Sequence, residues 1–194
     1  MLESLQASPA VVVGTSAGAA IAVDLAVRRP DLLRAVVAHE FPWRFTRRGP
    51  AWSQVKALVA IGSLALRRRY ADAAETLLRS AYTDRDGRSA WDAFPEEWRR
   101  AGRDNARAAL SDFRNSIADY PSAGDLATVE VPVVCTFGTR SPTNMVRLVR
   151  SLACAIPTGS TRQIDGAGHA APFDATANFV QVVADVCTSS GCAR

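Results

Sequence analysis

The chain has 194 residues, 48% of them hydrophobic and 22% charged, with a formal net charge of +4; this fits a single domain with a sizeable core and excludes a disordered or repeat protein. The charge excess lies within residues 43–128, and Lys56 is the one lysine among the basic residues, so the arginine bias reads as compositional and no nucleic-acid partner is expected. The longest lipophilic run, Ala57 to Leu66, is broken by Gly62 and Ser63 and is too short to span a bilayer, while Met1-Leu2-Glu3-Ser4 shows no basic or apolar leader pattern; a cytoplasmic protein with no membrane partner is expected.

In chain order, Leu2 to Gln6 reads as the last turn of a helix, closed by Ser8-Pro9. Ala10 to Val13 is a strand without alternation, as suits a parallel sheet covered on both faces. It feeds Gly14-Thr15-Ser16-Ala17-Gly18, a G-x-S-x-G pentapeptide, and then the helix-forming stretch Ala19 to Ala26. In such a turn Gly14 and Gly18 let strand and helix approach closely, and Ser16 stands on a strained bend with its hydroxyl exposed. A dinucleotide-binding turn would need a glycine where Ser16 stands, and a phosphate-binding loop would need Gly-Lys-Ser/Thr; neither is present. Leu33 to Ala38 forms the next strand, completing a βαβ unit that ends at His39-Glu40-Phe41-Pro42.

Residues 43–128 change character: helices are expected over 52–66, 71–82, 90–100 and 103–120, and every tryptophan and tyrosine of the chain falls here. Most of these aromatics are expected to form this segment's own small core. The parallel pattern resumes with a strand over 131–137, a helix over 143–156, a strand over 161–164, the loop Gly166-Ala167-Gly168-His169, and an amphipathic helix over 175–186. Cys135, Cys154, Cys187 and Cys192 match neither a metal spacing nor a disulfide framework.

The strand, G-x-S-x-G turn and helix together resemble the nucleophile elbow of the α/β-hydrolase family. The resemblance implies an α/β fold with a parallel sheet of about four strands and flanking helices, a core in residues 1–42 and 129–194, and a helical lid in 43–128. It implies Ser16 as nucleophile and His169, in a loop similar to the family's histidine loop, as base; His39 is then a packing or supporting residue. Where most relatives carry the acid, this chain reads Gly138-Thr139-Arg140-Ser141-Pro142, without a carboxylate. Some relatives place the acid at the end of the preceding strand, which here is Glu40; a lid-hinge carboxylate paired with Arg44 or Arg140 is the alternative reading of Glu40, and Asp165 and Asp174 are weaker candidates for the acid, expected rather to shape the loop or cap the helix. The oxyanion donor is expected to be the backbone N–H of Ala17.

Relative to the family, the first four strands are expected to be missing before Gly14, which would leave the strand at Ala10 as an open edge and invite homo-oligomer formation or other association there. Two function classes follow: a serine hydrolase of carboxylesterase type acting on a small or medium apolar ester or acyl group, or a hydrolase-like binding protein of impaired catalysis. No metal or organic cofactor is implied.

Overall fold

The computed structural model describes residues 2–41, 52–115 and 121–191. They divide into two compact units, one formed by Met1–Phe45 with Tyr120–Arg194 and the other by Thr46–Asp119.

The first unit is built on a parallel four-stranded sheet whose spatial order follows the chain: β1 (Ala10–Thr15), β2 (Leu33–His39), β3 (Val133–Gly138) and β4 (Gly159–Ile164). The helix α1 (Ala17–Arg28) connects β1 to β2. Its alanines allow close approach to the strands, and Ala19, Ala22, Val23 and Ala26 are fully enclosed against Val36, Ala38, Val133 and Cys135. The opposite face of the sheet, with Ala35 and Val37, is covered by Val186. Helices on both faces explain why β2 and β3 lack alternation: apolar side chains on either face meet a hydrophobic layer.

The elements expected from the sequence form with instructive differences. Leu2 to Gln6 is a run of turns rather than a helix end, closed by the Gln6 N–H donating to the Glu3 carbonyl at 3.0 Å and the Ala7 N–H to that of Leu2 at 2.9 Å. In the second unit, α2 (Trp52–Leu66) and α3 (Tyr70–Ala81) form close to the expected ranges. The helix expected over 90–100 is instead a short 3₁₀ turn at Ala90–Ala93 followed by α4 (Glu96–Asp104), because Pro95, with φ −52° and ψ 145°, holds the backbone extended between them. Likewise α5 (Ala106–Asn115) begins only after Asn105 ends α4.

The second unit has a core of its own around Trp91, which is buried and donates its indole N–H to Glu75 at 3.3 Å. Phe94 stacks edge-on with Tyr82, Trp91 and Trp98, and Gly102 leaves room for the Trp91 ring, which a Cβ there would meet at 2.7 Å. Trp43, Tyr120 and the side chain of Trp52 lie outside the described residues.

After this unit, α6 (Ala123–Leu126) is a single turn closed by a capping box between Ser122 and Asp125, a signal the sequence carries in plain form. Leu126 and Val129 join the core cluster of α1 and the sheet, so this stretch packs with the sheet-bearing unit. The helix α7 (Thr143–Ala155) leads from β3 to β4 and buries Val149, Leu152 and Ala153. After β4, the single turn α8 (Ala171–Asp174) precedes α9 (Thr176–Ser189), which buries Phe179, Val182 and Val186.

Candidate active site

The carboxyl ends of parallel strands converge on one crevice, and each sequence-predicted site residue lies at or just beyond such an end. Ser16 follows β1 and sits at φ 52° and ψ −120°, a positive φ rarely adopted by a side-chain-bearing residue. Its N–H donates to the His39 carbonyl at 2.9 Å, which ties the bend to β2. Ala19 and Ala20 donate to the Ser16 carbonyl, so the N–H groups of Ala17 and Gly18 are left with no backbone acceptor among the described residues at the positive end of α1.

The two glycines of the pentapeptide are not equivalent. A Cβ on Gly14 would stand 2.2 Å from the Gly18 carbonyl oxygen, so strand and helix can meet only over a bare Cα. A Cβ on Gly18 would meet nothing within 4 Å among the described residues. The close approach expected of both therefore belongs to Gly14 alone; Gly18 contributes its carbonyl to the contact.

Glu40 follows β2, also in a left-handed conformation at φ 46°, with its N–H donating to the Thr136 carbonyl at 3.0 Å. A left-handed glutamate costs on the order of 1–3 kcal/mol, and here the turn carries the carboxylate from the end of β2 toward the loop beyond β4. The carboxylate is fully buried and accepts from His169 Nδ1 through Oε2 at 2.6 Å, and from the Ser141 hydroxyl through Oε1. Burial pushes the Glu40 carboxyl up, but the hydrogen bond from His169, the electrostatic pull of the two imidazoles beside it and the Ser141 hydroxyl together outweigh it, and the net shift is down. Since a carboxylate can only accept, Nδ1 of His169 carries a proton and donates it to Glu40, which turns Nε2 to the other side of the ring.

The His169 loop is held by several contacts from the sheet. Gly138 ends β3 against it, where a Cβ would stand 1.8 Å from the Ala167 carbonyl oxygen. Arg140 N–H donates to the Ala167 carbonyl at 2.9 Å, and Gly168 N–H donates to Asp174 at 3.1 Å. Asp174 therefore shapes the loop, while Asp165 accepts from Thr139 at 3.3 Å. Arg44 lies outside the described residues.

Sequence reasoning overlooked Ser141. It is buried, takes the Gly138 N–H at 2.7 Å and gives its own hydroxyl proton to Glu40. The signal the sequence offers for it is its place in Gly138-Thr139-Arg140-Ser141-Pro142, the stretch after β3 that holds no carboxylate. His39 is wholly buried, with Nδ1 2.9 Å from the Thr136 hydroxyl and Nε2 3.0 Å from the Gly168 carbonyl. Among the described residues no cluster of three or more His, Cys, Asp or Glu side chains could hold a metal ion, and no helix is long and apolar enough to cross a membrane.

Comparison with solved structures gives the same architecture. A bromoperoxidase from Bacillus anthracis superposes with a TM-score of 0.72 at 16% identity, over 96% of this chain and 70% of that one. The carboxylesterase CesB from Bacillus subtilis gives 0.71 at 19% identity, over 97% of this chain and 63% of that one. An N-acyl homoserine lactone degrading enzyme gives 0.63 at 18% identity, over 95% and 70%. The chain thus spans 63% to 70% of the length of these three structures. No curated protein matches the sequence. A family model described as the alpha/beta hydrolase family matches residues 1–182, nearly the whole chain, and with the parallel sheet and flanking helices seen here it follows that the chain belongs to the alpha/beta hydrolase family.

Proposed function

We propose that this chain is a serine hydrolase of carboxylesterase type that cleaves a small or medium apolar ester through an acyl-enzyme on Ser16. The observation that carries the reading is the buried Glu40–His169 pair at 2.6 Å, next in sequence to the residue whose carbonyl holds the Ser16 N–H. Ser16 Oγ attacks the ester carbonyl carbon while its proton passes to His169 Nε2, and Glu40 stabilises the imidazolium that results. The oxyanion is met by the Ala17 N–H at the start of α1. The proton on Nε2 then goes to the leaving alkoxide. A water attacks the acyl carbon with His169 again as base, releasing the acid and restoring Ser16.

The second unit, Thr46–Asp119, is assigned the substrate-selecting role of a lid, with its aromatic and aliphatic side chains favouring an apolar acyl or aryl group. The carboxylesterase among the structural neighbours is consistent with this choice of chemistry.

A second reading, a hydrolase-like binding protein with weak catalysis, draws on β1, which is hydrogen-bonded along one edge only among the described residues. The strand presenting Ser16 is then braced from one side. A fluorophosphonate probe separates the two. The esterase reading expects labelling of Ser16 and loss of p-nitrophenyl acetate turnover in Ser16→Ala; a folded sample that takes no label supports the binding reading instead.

A further inference from the structure

His39 meets all three segments that carry the proposed triad. Its carbonyl accepts the Ser16 N–H at 2.9 Å, its peptide leads directly into Glu40, and its ring Nε2 lies 3.0 Å from the carbonyl of Gly168, the residue before His169. It stands in register with Thr15 on one side and Thr136 on the other. The ring is enclosed, with Phe179 of α9 edge-on at 5.9 Å.

The partners dictate the protonation state. A carbonyl oxygen can only accept, so Nε2 must carry a proton and donate to Gly168. Nδ1, 2.9 Å from the Thr136 hydroxyl, then accepts from it, and the ring is neutral. Burial pushes this imidazole below its ordinary value, against the opposing pull of Glu40 and the Gly168 carbonyl, and so keeps it in that form. The Gly168 carbonyl thereby selects the tautomer, and the Thr136 hydroxyl on β3, turned to donate, holds the other ring nitrogen.

We infer that His39 is a positioning residue: as a neutral imidazole clamped between the Thr136 hydroxyl and the Gly168 carbonyl, it sets the place of His169 against Ser16 and Glu40. A leucine of similar bulk would fill the volume but leave the Gly168 carbonyl without its donor, and the loop would shift to satisfy it. The inference rests on the triad reading above, because His169 is the group it positions.

The test uses the whole chain and three variants, His39→Leu, His39→Gln and Thr136→Val, each checked for fold by circular dichroism. His39→Leu is expected to lower kcat on p-nitrophenyl acetate by about 10- to 100-fold with KM changed less than about 3-fold, since a displacement of about 1 Å at a base costs on that order. His39→Gln keeps an N–H near the Gly168 carbonyl and recovers most of the loss; Thr136→Val leaves Nδ1 without its hydroxyl partner, loosens the ring and loses part of the activity. A folded His39→Leu with kcat within about two-fold of the parent overturns the inference, as does a Gln variant no better than the Leu variant. Where His39→Leu does not fold, Thr136→Val with unchanged kcat overturns it. If the parent hydrolyses no ester, the esterase reading fails by itself, and the positioning role is read from the far-downfield ring proton signal of the His169–Glu40 hydrogen bond. That signal is expected to weaken or move in Thr136→Val and His39→Leu, and its persistence unchanged in both refutes the role.

Discussion

Glu40→Gln removes one charge and almost no volume from the buried end of β2. In the proposed reaction His169 becomes an imidazolium whose Nδ1 lies 2.6 Å from the Glu40 carboxylate. With charge centres roughly 4 Å apart and an effective dielectric of about 20, the attraction is about 4 kcal/mol, which corresponds to about a thousand-fold in rate. The amide adds a second penalty. With its NH₂ toward His169 it forces the proton onto Nε2, where it blocks the base; with its carbonyl there, its NH₂ faces a Ser141 oxygen that already takes the Gly138 N–H at 2.7 Å. A loss of about 10³ to 10⁴ in kcat is therefore expected, as for the amide replacement of the carboxylate in a Ser-His-Asp triad. The assay is kcat and KM on p-nitrophenyl acetate beside a far-ultraviolet dichroism spectrum, with fluorophosphonate labelling of Ser16 expected to slow by a similar factor. A folded Glu40→Gln that keeps its kcat within about ten-fold of the parent would refute Glu40 as the acid.

The two elbow glycines should separate sharply. Gly14→Ala places a Cβ 2.2 Å from the Gly18 carbonyl and is expected to destabilise the fold by about 3 kcal/mol and abolish Ser16 labelling. Gly18→Ala meets nothing within 4 Å among the described residues, and in the first turn of α1 it should leave stability unchanged or raise it by up to about 1 kcal/mol in urea unfolding. The pH dependence of stability follows from the lowered Glu40 carboxyl. A group whose folded value is depressed contributes stability above its unfolded value, about 4.3 for glutamate, and loses it as pH falls through the lower folded value. Thermal unfolding from pH 6 downward should show this acid-side loss in the parent and a shallower one in Glu40→Gln; identical slopes would show that the carboxylate gains nothing on folding.

How much of the molecule was legible depends on the range over which each feature is determined. The strand, the G-x-S-x-G turn and the first helix follow from a few neighbouring residues, because Gly14 must be bare where β1 meets α1 and small residues must line α1 against the sheet. The parallel class follows from β2 and β3, whose continuous apolar runs are what a sheet covered on both faces requires. Where the observed helices differ from the expected ones the cause is also local: Pro95 divides the expected helix, and Asn105 ends the next one.

The meeting of Glu40 with His169 across 129 residues was a different matter. Sequence could nominate Glu40, but not exclude other partners or show that Ser141 would hold its second oxygen. That depends on the register of β2 with β3 and of β3 with β4, on the left-handed turn at Glu40, and on the close seat that Gly138 offers the His169 loop. The clamp at His39 is of the same kind, since a histidine at a strand end carries no sign of its hydroxyl and carbonyl partners until the sheet aligns them. Chemistry confined to one turn is written in adjacent residues; chemistry shared between strand ends exists only once their register is set.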